Sequence, residues 1–262
     1  MSNLDFNTFD WIWSYLWALF RVGGFFVTAP FWGDRTIPTR VRIPAALALT
    51  LTIGPIISAS VPAAPPSVLT ITAWAAHELI IGGLIGFCFA VLFWAVRAAG
   101  DIIGLQMGFA IAVAIDPNSP DQVSLIGEFK YILALLLLLM MDGHHLMITA
   151  LVDTYRVIPV GGGAFHGPVA ELVIRLSATF LVTAVKLGAP VVVTLLLTDV
   201  ALGIVSRTVP QMNIFVVGFP LKIGVGLLVL GAALPLVAQT FTQSFSQIQS
   251  DTQRIIAALA RP

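Results

Sequence analysis

Charge is what this sequence has least of: only 10% of its 262 residues are Asp, Glu, Lys or Arg, against about a quarter in a soluble domain. Its 13 basic and 13 acidic residues also cancel. No field remains to gather nucleic acid or an acidic substrate over a distance, so no nucleic-acid partner is expected. Cysteine is nearly absent as well, and the single Cys88, in an apolar run, excludes an internal disulfide and a cysteine metal cluster. Its expected place is a small-residue slot in a core. The opening "MSNLDFNTFD" has two acids and no Lys or Arg, which is unlike the basic start of a cleaved signal peptide. The first hydrophobic run is therefore expected to stay as a membrane segment.

Catalytic signatures are missing too. There is no G-x-S-x-G elbow and no phosphate-binding glycine loop, and "AAGD" around Asp101 lacks the first glycine of the intramembrane aspartyl protease motif. "AHELI" has one histidine where a zincin helix needs two, four apart. "DGHH" offers Asp142, His144 and His145, with no second cluster at metal-ligand spacing. That motif reads as a satisfied polar turn. The expectation is a protein that is not an enzyme and holds no cofactor or metal.

What is present is apolar length. With 58% hydrophobic residues and a mean hydropathy of +0.97, the chain reads as an all-α, polytopic membrane protein. A bilayer core of about 30 Å takes roughly 20 apolar helical residues, and six runs qualify: 11–31, 43–61, 69–96, 129–151, 170–206 and 213–237. About six long helices arranged as hairpins are expected. A seventh piece, "IIGLQMGFAIAVAI" at 102–115, is short for a crossing and fits a re-entrant or internally packed segment. The loop "GDRTIPTRVR" holds Arg35, Arg40 and Arg42 against Asp34. By the positive-inside rule that loop is cytoplasmic, the N-terminus outside, and the end with Arg254 and Arg261 cytoplasmic.

The closing stretch is amphipathic, with Val237, Phe241, Phe245, Ile248, Ile255 and Leu259 at helical spacing and Gln, Ser and Thr opposite. It lacks the basic stripe of a membrane-surface helix. Packing against protein suits it better than lying on lipid. Gly100, Gly104 and Gly108 stand four apart, with Ala112 continuing the row. A tight helix seam follows, repeated more weakly by Gly82 and Gly86. Next, "AIDPNSPD" ends the helix at Asp116-Pro117, with Asn118 and Ser119-Pro120 following. It reads either as an ordinary outer loop or as one lining an internal cavity.

Ionisable residues inside apolar runs mark function by default, because lipid tolerates them poorly. Arg21, Glu78, Lys186, Asp199 and Lys222 qualify, while Arg97 and Asp101, four apart, are expected to pair on one helix face. In "VPQMNIFVVGFPLKIGVG" the chain is expected to reverse at Pro210-Gln211, with Gln211 and Asn213 serving freed backbone groups and Pro220 kinking the return. Asp199 lies eleven residues before Pro210 and Lys222 eleven after Gln211. Equal distance from a turn is equal depth, so a buried Asp199–Lys222 pair is expected about 16 Å from the tip.

The strings "IPTRVR", "AAGDIIGLQMGFAIAVAIDP", "MDGHHLMITAL", "VKLGAP" and above all "VPQMNIFVVGFPLKI" resemble, in that order, the FliR family of flagellar export membrane proteins. The likeness runs along essentially the whole chain. It extends less closely to the matching inner-membrane component of injectisome type III secretion. The resemblance implies a subunit of the flagellar protein export gate in the bacterial inner membrane, at the flagellar basal body. The implied partners are FliP and FliQ in a ring of helix hairpins, then FlhB and FlhA, membrane lipid, and the secreted flagellar proteins in transit. It also implies a FliP-like part over 1–168 and a FliQ-like hairpin over 169–262. A pore loop is implied too, carried here by 108–120 and thus by Gly108, Asp116, Pro117, Asn118 and Pro120. The alternative is a secondary transporter, which would show two repeats with matching broken helices and midplane charges. No convincing repeat relates the halves.

Overall fold

The computed structural model describes residues 10–34, 37–57, 67–109, 124–163, 167–211 and 213–260. All regular structure among them is helical: α1 (Asp10–Thr28), α2 (Thr39–Ile57), α3 (Val68–Met107), α4 (Leu125–Met140), α5 (Gly143–Val157), α6 (Gly167–Thr208) and α7 (Ile214–Leu259). Helices are what apolar runs of this kind must form in lipid, where each backbone N–H and C=O has to be satisfied within its own segment. Three helices, α3, α6 and the part of α7 from Val216, are long and apolar enough to cross a membrane, or four if α4 and α5 make one broken span.

The described helices number seven rather than six, and the departures have local causes. The run 129–151 is split, and α4 and α5 diverge by 72°. Asp142 takes a left-handed conformation (φ 52°) at the break, a backbone state that suits a short polar residue followed by glycine. The piece 102–107 is the end of α3, not a separate segment. It stops at Gly108 (φ 93°), where Phe109 N–H donates to Gly104 O and Gly108 N–H to Leu105 O, both at 3.1 Å. This is the Schellman stop, and it needs a residue that tolerates positive φ. The amphipathic C-terminal stretch is likewise no separate helix but the continuation of α7 beyond Pro235. At 40, 42 and 46 residues, α3, α6 and α7 are about 60 to 70 Å long, twice a bilayer core.

The chain packs as two units, each gathering segments distant in sequence. One comprises Met1–Val91, Leu138–Ser177 and Ser246–Pro262, and the other Leu92–Leu137 and Ala178–Phe245. The first unit has an aromatic cluster in which Trp17 stacks on Trp13 and meets Trp74 edge-on, with ring centroids 5.7 Å apart in each case. The second is centred on Ile103, Met107, Ile126, Val191, Leu195 and Leu230.

Candidate functional site

The first unit is tied together by a charge. Arg21 of α1 is fully buried, and its Nε donates to Glu78 Oε2 of α3 at 2.6 Å, with Glu78 also fully buried. The guanidinium further donates to Thr154 Oγ1 (2.9 Å) and to the Ile158 carbonyl (3.3 Å). It lies 4.1 Å from the centre of the Tyr155 ring. The second Glu78 oxygen accepts the Gly161 N–H at 3.1 Å. Each charge thus meets both its counter-ion and further donors or acceptors, the condition under which a buried pair is tolerated. Small residues bring the helices this close. A Cβ on Gly82 would run into the Arg21 carbonyl, one on Gly24 into the Leu79 carbonyl, and one on Gly86 into Thr28 Oγ1.

In the second unit the glycine row of α3 meets different neighbours along its length. A Cβ on Gly100 would sit 2.5 Å from Gly127 Cα, and one on Gly104 2.8 Å from Ser124 Oγ, so these two face the start of α4. Gly108 ends the helix and lies under the Phe219 ring. Arg97 does not pair with Asp101: its partner is Glu128, at 3.2 Å across the α3–α4 seam. A glutamate on the facing helix wins over the local aspartate because the glycine seam brings α4 so near. Lys130, at the start of the run 129–151, is buried in α4 and donates to the Leu187 carbonyl of α6 at 3.0 Å.

Lys222 Nζ lies 2.8 Å from Asp199 Oδ1 and 3.0 Å from Oδ2, joining α7 to α6. The lysine side chain is 15% exposed and the carboxylate 41%, so the pair sits at the edge of this chain rather than deep inside it. Pro210 and Gln211 occupy the turn between the two helices. Asn213 begins α7, its backbone carbonyl accepting Val216 N–H at 3.1 Å and its side-chain Oδ1 lying 3.4 Å from the same nitrogen. Pro220 is inside α7, and Gly226 abuts Met107. Asp116, Pro117, Asn118 and Pro120 lie outside the described residues.

Asp142, His144 and His145 converge, with one ligand atom from each within 4.8 Å of the others. The polar turn is satisfied only in part: the exposed Asp142 carboxylate makes no side-chain cap bond, and His144 Nδ1 is buried without a hydrogen-bond partner.

The sequence profile of the bacterial export proteins, family 1, matches residues 12–248. The chain is 36% identical over 252 residues to the flagellar biosynthetic protein FliR of Escherichia coli K12, covering 95% of each chain. It is 36% identical over 256 residues to that of Bacillus subtilis 168, covering 94% of this chain and 95% of the other. The FliR of Aquifex aeolicus is 28% identical over 247 residues, again with 94% and 95% covered.

Proposed function

Since the chain belongs to the bacterial export proteins, family 1, we propose that it serves as a structural, pore-forming subunit of the flagellar type III protein export gate. In this reading it helps move unfolded flagellar subunits across the inner membrane, with no catalytic role of its own. The observation that carries the reading is the end-to-end likeness to proteins named for flagellar biosynthesis, with 95% of both chains aligned in the Escherichia coli case.

Two physical features support assembly over solitary work. Helices of 40 to 46 residues run about twice the thickness of a bilayer core. Large residues such as Leu181, Leu197, Val200, Ile204 and Leu228 stand more than half exposed along them. Apolar surface beyond the hydrocarbon needs protein to cover it. The second feature is the Asp199 carboxylate, which retains open hydrogen-bonding capacity at the edge of an apolar helix, an arrangement that favours a protein neighbour over lipid. A transporter would instead keep such charges facing a pathway, whereas Arg21 and Glu78 are closed in on their own partners.

On this reading the neighbours are FliP and FliQ, with FlhB and FlhA alongside, and the N-terminus is periplasmic. Residues 1–168 play the FliP-like part and 169–262 the FliQ-like part. The stretch from Gly108 through Asp116, Pro117, Asn118 and Pro120 is the pore loop. Affinity purification of the chain from its own membranes tests the proposal: FliP and FliQ are expected in stoichiometric amounts. Recovery of the chain alone or as a homo-oligomer would count against it.

A further inference from the structure

We propose that Asp142, His144 and His145 bind one divalent transition-metal ion, zinc being the best fit, at the break between α4 and α5. The three donors belong to one short D-G-H-H stretch, yet the fold brings them together. The left-handed backbone at Asp142 (φ 52°) turns its carboxylate away from capping α5. Asp142 Oδ1 instead stands 3.5 Å from His145 Nδ1, beyond ordinary N–H···O hydrogen-bond length. The imidazoles of His144 and His145 have ring centroids 4.0 Å apart. All three ligand atoms fall within 4.8 Å of one another. A second, independent sign is His144 Nδ1, a buried nitrogen with no hydrogen-bond partner, because a buried polar atom left unpaired costs free energy that a ligand would offset.

The donor set decides the class of ion. Two imidazole nitrogens and one carboxylate oxygen suit zinc, cobalt, nickel or copper, whereas calcium and magnesium ask for oxygen shells. Three protein ligands leave a fourth zinc position to water, and bonds of about 2.0–2.2 Å need only modest side-chain rotations from the observed spacing. A cation here also meets the positive end of the α5 helix dipole. Asp142 offsets that end as well as ligating, so its charge matters twice. Access is open, since the Asp142 and His145 side chains are 77% and 69% exposed. Ligands from the break and from the first turn of α5 would be joined by the ion. Binding therefore stabilises the turn at Asp142 and the start of α5.

The test uses the detergent-solubilised protein with its partners and with any affinity tag removed. Cobalt(II) is titrated as the probe. The expected result is visible ligand-field absorption saturating at one ion per chain and displaced by zinc. His144→Ala and His145→Ala should each weaken binding by roughly tenfold or more, and Asp142→Asn more than either. Asp153→Asn, outside the cluster, should change nothing. Zinc should raise the unfolding temperature of the parent and leave that of the triple variant unmoved. Absence of cobalt bands on the parent overturns the proposal. Equal binding and stabilisation in the triple variant would overturn it too.

Discussion

The Arg21–Glu78 and Lys222–Asp199 pairs have nearly the same length, 2.6 and 2.8 Å, yet the first is wholly buried and the second leaves its carboxylate 41% exposed. Around Arg21 the protein supplies Thr154, the Ile158 carbonyl and the Tyr155 ring, and around Glu78 the Gly161 N–H. Around Lys222 it supplies the aspartate. The buried pair is thus part of what makes its unit fold, because an unpaired charge there would have no escape. The edge pair is a contact with capacity to spare, open to whatever neighbour covers that side of the chain.

The largest effect should follow Arg21→Met, which strands the Glu78 carboxylate in the interior. A loss of about 3–5 kcal/mol is expected, seen as near-complete disappearance of folded, detergent-soluble protein. If Lys222→Met proves equally damaging, the distinction between the pairs collapses. Next, Gly82→Val should cost about 1–3 kcal/mol or more, because the obstacle is the Arg21 backbone carbonyl, which cannot swing aside. Gly224→Ala, with nothing within 4 Å, should instead stabilise α7 by about 0.5–1 kcal/mol. Thermal unfolding of both variants in detergent sets these opposite signs against each other.

Smaller again is the coupling between Lys222 and Asp199. A double-mutant cycle with Lys222→Met and Asp199→Asn should give about 1 kcal/mol or less in the isolated chain. Its growth in the assembled complex would sharpen the view of this pair as an interface element. Smallest is Glu171–Arg175, a surface i,i+4 pair with side chains 63% and 74% exposed. Glu171→Gln should change stability by no more than about 0.5 kcal/mol, and less at high salt.

Much of this organisation is legible in the sequence where geometry is local or symmetric about a turn. Asp199 and Lys222 stand equally far from Pro210-Gln211, so depth alone sets them side by side. Arg21 and Glu78 announce themselves as ionisable residues in apolar runs, but 57 positions separate them and periodicity says nothing about which helices touch. Lys130 hides because it follows a polar linker. Its burial depends on α6 arriving against α4. The break at Asp142 is buried inside a hydrophobic run, where composition outweighs one left-handed residue. Gly108 looks like the third member of a packing row, although its positive φ makes it the stop of α3. Hydropathy changes near Val237, so the sequence suggests a span followed by a separate amphipathic helix, while the backbone of α7 meets no break there.

The reading as an export-gate subunit meets its most direct test in secretion. In the bacterium that carries this chain, deletion of its gene is predicted to abolish swimming and to remove hook and filament proteins from the culture medium, with both restored by the chain supplied from a plasmid. Normal secretion of those proteins in the deletion strain would contradict the account.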